Sequence, residues 1–251
     1  MEPAQTDMPK DWPRIRTVGV DGMLVSFGER LSEPANRAAL ALRAAMEAEN
    51  WEGVEECSTS LVSAYVRFDP LHLSHEVLRT RLEELCARVD WYDAALPEGR
   101  KLWRIPTVYG TDLAPQLEEA AQAAGMTAKE AIASISSSQV RVQTIGFAAG
   151  QPYLGELDDA WNIPRQTELT ERVPEGALTV AIRQLVLFSV STPTGWRHVG
   201  QTGFRLFRPE SETPFVLRPG DEVIFVKTDA ERLHNMRNDG PDGGATCEDL
   251  K

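Results

Sequence analysis

From Val140 onward the chain is a succession of short β-type runs cut apart by proline and glycine, at 140–147, 177–182, 185–190, 197–200, 204–207 and 222–226. Strands this short and this closely spaced find partners only by closing on one another, so the pattern predicts an all-β barrel or closed sandwich. The segment Arg218-Pro-Gly-Asp221 reads as the turn that delivers the last strand. Beyond Thr228 the composition is polar, and 229–251 is expected as a flexible tail.

The first half has a different grain. Runs at 14–20 and 23–28 alternate apolar and polar residues around Asp21-Gly22, a hairpin signal. A helix is expected over 33–49, with Ser32 as N-cap, Pro34 in the first turn, and a buried stripe of Leu31, Ala35, Ala38, Leu42, Ala45 and Met46. Strands near 54–58 and 61–68 end at Asp69-Pro70. A second helix runs from Ser74 to about Val89, with Leu78, Leu82, Leu85 and Val89 on one face. The order β-β-α-β-β-α describes a small α+β layer with its helices on one face of a sheet. The turn-rich stretch 93–99 marks a boundary, so the expected domains are 14–96 and 100–228, with a loose leader at 1–13. The second domain opens with a strand at 101–108 and helices near 114–124 and after Thr127, where Glu130 completes a capping box.

At 251 residues the chain is long enough for two modest domains, each with a core. Its formal charge of −12 argues against a nucleic-acid or anionic membrane partner, since both need clustered Lys and Arg. The N-terminus lacks the cationic flank and apolar run of a signal peptide, and no stretch reaches the roughly 18 apolar residues of a membrane span. Cys57, Cys86 and Cys247 are odd in number and widely spaced, which points away from a disulfide framework or structural zinc. The expectation is a cytoplasmic protein with no metal in this chain.

The familiar phosphate-loop, dinucleotide, nucleophile-elbow and zinc-protease signatures are absent. His72 and His75 form H-x-x-H, but no third ligand is near, and solvent-facing histidines are the expectation. The segment 146–155, GFAAGQPYLG, holds three glycines and a proline, which rule out a regular helix or packed strand. It suits a ligand-lining loop that presents Phe147, Gln151 and Tyr153, or a barrel corner plugged by its aromatics; composition does not decide between them. Arg165 follows Ile163-Pro164 and is either a carboxylate clamp or a surface charge. On an extended segment His198 shares a face with Trp196 and Gly200, which suits a binding wall or a hydrogen-bonded barrel histidine.

The blocks IPTVYG at 105–110, GFAAGQPYLGEL at 146–157, IPR at 163–165, VPEG at 173–176, STPTGWRHVGQT at 191–202, LF at 206–207 and LRPGDEVIFV at 217–226 together resemble one family. It holds the B-type subunit of 5-oxoprolinase, allophanate hydrolase subunit 1 and the Kip-type inhibitor of a sporulation histidine kinase. The resemblance covers about 14–228 and implies a ferredoxin-like α+β domain followed by a cyclophilin-like β-barrel domain. It also implies a partner, a homologous cyclophilin-like subunit like the C-type subunit of 5-oxoprolinase or allophanate hydrolase subunit 2. Such a complex would use ATP to open a small lactam, amide or urea-like substrate. Two other roles occur among such relatives: a non-catalytic regulator like the kinase inhibitor, and a carboxyltransferase component of a biotin-dependent urea-type carboxylase.

The sequence departs from the pattern of the family. Ala149 stands for a proline and Gln151 for a phenylalanine. Within 179–189 only Gln184 survives, with Ala181, Ile182 and Val186 at glycine positions, Leu185 for threonine, Phe188 for tyrosine and Ser189 for proline. Thr194 replaces a glycine, and Gln201 an arginine or histidine. The expected cleft residues are Gln151, Tyr153, Arg165, Gln184, Trp196 and His198, with no catalytic group assigned.

Overall fold

The computed structural model describes residues 12–250, so the leader expected at 1–13 lies outside them except for Trp12 and Pro13. The chain divides into two compact units between Pro97 and Glu98. No helix among the described residues is long and apolar enough to cross a membrane.

In the first unit β1 (Arg14–Val18) and β2 (Gly22–Ser26) form the predicted hairpin, followed by α1 (Glu33–Glu49), β3 (Val54–Thr59), β4 (Ser63–Phe68) and α2 (His75–Cys86). The strands are antiparallel in the order β1-β2-β4-β3. Met23, Val25 and Phe27 alternate inward with Ala64, Val66 and Phe68, and meet Leu42 and Met46 of α1 and Leu78, Leu82 and Leu85 of α2. Each large apolar side chain so buried contributes about 1.5–3 kcal/mol. Ser32 caps α1 by accepting the Ala35 N–H at 3.4 Å, and Asn50 ends it in the left-handed region at φ 46°. Helix α2 stops before reaching Val89, which is 54% exposed rather than the last member of a buried stripe.

The second unit is a closed barrel. Its elements are β5 (Lys101–Tyr109), α3 (Leu117–Ala123), α4 (Ala128–Ser137), β6 (Val140–Ile145), β7 (Pro152–Gly155), β8 (Thr170–Val173), β9 (Ala177–Ala181), β10 (Gln184–Leu187), β11 (Thr192–Thr194), β12 (Arg197–Thr202), β13 (Glu222–Lys227), α5 (Ala230–Asp239) and β14 (Thr246–Asp249). Strands β12-β9-β10-β7-β6-β13-β5 run round the barrel, and β12 closes it by pairing Gly200–Thr202 with Thr107–Tyr109 of β5. Seven strands thus have no free edge within the ring, and the arrangement fits the cyclophilin-like barrel that the resemblance implies. Ile105, Val142, Leu154, Val180, Leu185, Val199 and Phe225 are buried in one core with Leu117 of α3, Ile135 of α4 and Trp161. The Thr127–Glu130 capping box opens α4.

Asp221 holds the predicted turn before β13. Its carboxylate, almost wholly buried, accepts the Lys101 N–H at 2.8 Å and the Arg218 N–H at 3.0 Å. Burial pushes its pKa up, against the pull of those two backbone donors.

Three expectations are corrected. The residues expected as a flexible tail at 229–251 build α5 and β14, and β14 pairs with Lys101–Arg104 at the end of β5 that β12 leaves open. Asp229 caps α5 through the Arg232 N–H at 2.8 Å, and Gly243 lies against Gly203, where a Cβ would sit 2.3 Å from the Gly203 carbonyl carbon. The run 204–207 is no strand; it contributes only the bridge Phe207–Phe215. The glycine-rich segment 146–155 is half strand, since Pro152–Gly155 is β7 and pairs with both β6 and β10.

Candidate functional site

The loop before β7 is a tight turn in which Gly146 donates to the Gln151 carbonyl at 3.0 Å and Gln151 donates to the Ala148 carbonyl at 3.1 Å. Two positions take left-handed φ, Phe147 and Gly150, both at 71°. Gly150 has a second reason to be glycine, because a Cβ there would lie 3.1 Å from the Leu206 carbonyl oxygen. The turn drives Gln151 inward, 1% exposed, and leaves its Oε1 with no hydrogen-bond partner among the described residues. Phe147 goes the other way and is 75% exposed.

Opposite this loop stands the segment Gly195–Trp196. Gln166 binds it twice, its N–H donating to the Gly195 carbonyl at 2.7 Å and its Nε2 to the Trp196 carbonyl at 3.2 Å. The Trp196 N–H donates to Thr194 Oγ1 at 3.1 Å. The indole is thereby fixed edge-on to Tyr153, with ring centroids 6.1 Å apart, and the Arg165 guanidinium lies 5.1 Å from the indole centroid. Arg165 is exposed and makes no ion pair among the described residues.

These residues line a cleft of 290 Å³ with Val186 and Phe188 beneath and Phe147 and Leu169 at its mouth. The floor belongs to a small apolar cluster with Val173 and Ala181. An aromatic wall, an apolar floor, one buried amide oxygen and one free guanidinium suit a small planar molecule with a polar or anionic edge. Tyr153 and Arg165 are the titratable residues in the lining, which holds no carboxylate, histidine or thiol among the described residues.

Four of the six expected residues, Gln151, Tyr153, Arg165 and Trp196, therefore meet in one place. Gln184 does not. It is buried between strands, where its Nε2 donates to Gln143 Oε1 at 2.7 Å beside Gly155. His198 also lies elsewhere, lining a groove of 840 Å³ with Gln201 and Arg237. The shared face of Trp196, His198 and Gly200 fails because Trp196 precedes β12 and the register against β9 shifts between His198 and Gly200. Gly200 admits a neighbouring strand rather than a ligand: a Cβ would stand 2.8 Å from Thr107 Cγ2. His72 hydrogen-bonds through Nδ1 to Asp69 at 2.6 Å, and His75 packs its ring on Phe68. Phe147, which the ligand-lining reading of the 146–155 loop presents, lies at the cleft mouth, whereas Gln166 was not among the expected site residues and nothing local marks it.

The sequence matches the family described as carboxyltransferase domain, subdomain C and D, over residues 13–217. It is 30% identical over 237 residues to the B-type subunit of 5-oxoprolinase from Bacillus subtilis (strain 168), covering 90% of this chain and 97% of that protein. It is 37% identical over 134 residues to the corresponding 5-oxoprolinase subunit from Escherichia coli O157:H7, covering 53% of this chain and 61% of that one. The chain belongs to the carboxyltransferase C and D family. Among solved structures, TTHA0988 superposes with a TM-score of 0.70 at 31% identity over 86% of this chain, which spans 40% of the TTHA0988 chain. The Kluyveromyces lactis urea carboxylase shares the fold, with a TM-score of 0.71 at 17% identity over 94% of this chain and 24% of that one. Within the family, the naming of these relatives as 5-oxoprolinase subunits speaks for a role in a multi-subunit enzyme complex.

Proposed function

We propose that this chain is the B-type subunit of a two-subunit, ATP-dependent amidohydrolase of the 5-oxoprolinase kind, acting in the cytoplasm on a small lactam, amide or urea-like compound. The observation that carries the reading is the near end-to-end match to the Bacillus 5-oxoprolinase subunit, 97% of that protein's length. The Tyr153–Trp196 cleft supports it, because a planar amide ring fits an aromatic wall and a carboxylate edge suits Arg165. Among the described residues the lining holds no carboxylate, histidine or thiol, and the acid–base groups are assigned to the partner, proposed here as a homologous cyclophilin-like subunit. The edge strand β1, laid beside β2 ahead of the β-α-β-β-α run, supports a ferredoxin-like reading of the first unit with its last strand supplied from the N-terminus.

The cleft and the groove of this chain offer a nucleoside triphosphate few free cations. No lysine lines the cleft or the groove among the described residues. Of the three groove arginines, Arg205 is tied to Glu210 at 2.7 Å and Arg237 donates to the Thr202 carbonyl at 2.6 Å, which leaves Arg172. ATP is assigned to the assembled complex, as the family resemblance implies.

The test is co-expression with the partner subunit and measurement of 5-oxoproline-dependent ADP release by the purified pair. Turnover is expected; a stable pair inert toward lactams and urea-like compounds would overturn the reading. The regulator reading draws on a separate observation, the exposed Phe147 and Leu169 at the cleft mouth, a contact surface for another protein. A histidine kinase, rather than a homologous subunit, in a native pull-down would favour it.

A further inference from the structure

Arg165 is an exposed side chain on a backbone that is tied on both sides. Just before it, the Pro164 carbonyl accepts from Arg197 Nη1 at 2.6 Å. Just after it, the Gln166 N–H donates to the Gly195 carbonyl at 2.7 Å, and Gln166 Nε2 donates to the Trp196 carbonyl at 3.2 Å. The two segments lie in contact: a Cβ built on Gly195 would stand 3.9 Å from that of Arg165.

Both ties lead back to α3. Gln116, its N-cap, and Glu119 are three residues apart and so share a side of the helix. Gln116 Nε2 donates to Gln166 Oε1 at 2.7 Å, and Glu119 Oε1 accepts from Arg197 Nε at 2.8 Å. Arg197 therefore bonds two elements at once through a side chain only 11% exposed, a fork that a planar guanidinium supplies and a point-charge ammonium does not. Glu119 balances the charge of Arg197, whereas Arg165 makes no ion pair among the described residues and keeps its own beside the Trp196 indole. A long exposed arginine samples many geometries, and ordering it on binding costs affinity. Fixing the backbone before and after Arg165 narrows where its guanidinium can go.

We propose that Arg197 is a positioning residue for the cleft: by bridging the Pro164 carbonyl and Glu119 it holds Arg165 against the Trp196 indole. Arg197 and Glu119 lie outside the cleft lining, so the effect passes through Arg165 rather than through a contact with the ligand. The inference rests on the reading of the cleft as a substrate site.

The test is a double-mutant cycle on the intact pair, read by 5-oxoproline-dependent ADP release. Arg197→Lys keeps a charge for Glu119 but not the fork, and is expected to raise KM about 5–10-fold with kcat changed by less than about twofold. In the Arg165→Ala background the same change is expected to move KM by less than about twofold, because no guanidinium is left to position. Equal losses in both backgrounds, or a fall in kcat with KM unchanged, would overturn the proposal. A second measurement needs no turnover. Nuclear Overhauser contacts between the Arg165 side chain and the Trp196 ring, recorded on the full chain, are expected to weaken in Arg197→Lys and in Glu119→Ala, where the side chain removed is half-exposed and folding is kept. Contacts absent from the wild type, or unchanged in both variants, would overturn the positioning role. An inert pair whose contacts respond as expected would overturn the substrate reading and support the positioning role.

Discussion

Ile182 and Arg183 take φ of 44° and 62° to turn the chain from β9 into β10, where the pattern of the family has glycine at Ile182. For a β-branched residue the left-handed region costs on the order of 1–2 kcal/mol. The turn is held by neighbours: Ile182 and Arg183 donate their N–H groups to the carbonyls of Ile163 and Trp161, each at 2.8 Å, and Arg183 Nε donates to the Leu157 carbonyl at 2.9 Å. Ile182→Gly is therefore expected to stabilise the barrel by about 1 kcal/mol in urea unfolding, the strain relieved outweighing the added chain entropy. A destabilised variant would show that the isoleucine side chain, 42% exposed, carries packing that outweighs its strain. Gly150 works in the opposite sense. Valine there meets both the left-handed φ and the Leu206 carbonyl, so Gly150→Val is expected to cost the barrel about 2–4 kcal/mol and abolish partner-dependent activity. The first unit should keep its amide NMR spectrum, and retained activity would reduce the 146–151 turn to a packing element.

Element boundaries were legible where local chemistry set them. Ser32, Pro34 and the alanine-rich stripe define α1, and Thr127 with Glu130 defines the start of α4. Elements that depend on remote partners were not. β7 is flanked by Pro152 and Gly155 and becomes a strand only because β6 and β10 offer edges on both sides. α5 fully buries Leu233 alone on a largely polar helix, with Met236 half-buried one turn on, so no long amphipathic stripe announced it. The candidate site divides the same way: Gln151, Tyr153 and Trp196 could be read from glycine and aromatic spacing, whereas the register shift that separates His198 from Trp196 is a property of β12 against β9. Asp221 gives an element-scale prediction. Asp221→Ala leaves the Lys101 and Arg218 N–H groups without their acceptor and should cost about 2–4 kcal/mol, because each buried donor left unmade costs about 1–3. Because the folded pKa is raised, the folded state holds the proton more tightly than the unfolded chain. The stabilising effect of Asp221 is therefore largest below the unfolded pKa and falls as pH rises through the folded one. Urea midpoints should accordingly show the gap between wild type and variant narrowing as pH is raised from strongly acidic values; a widening gap would contradict the burial argument.

At the scale of the whole molecule, a chain of formal charge −12 ends in a segment that covers the open edge of β5. Truncation after Thr228 should uncover the Lys101–Arg104 edge and raise the tendency to aggregate, measured by light scattering on heating. An unchanged profile would mean that β14 protects nothing. The central claim is that the Tyr153–Trp196 cleft binds the substrate of a two-subunit enzyme, and Arg165 offers the most direct access to it. The residue is exposed and makes no ion pair among the described residues, its one contact of note being the Trp196 ring, so Arg165→Ala perturbs binding without unfolding the barrel. The decisive measurement is steady-state ADP release by the intact pair as a function of 5-oxoproline concentration. Arg165→Ala is predicted to raise KM about 10–100-fold, the loss of one charge-assisted contact, with the two subunits still co-eluting. Kinetics indistinguishable from wild type would contradict the claim.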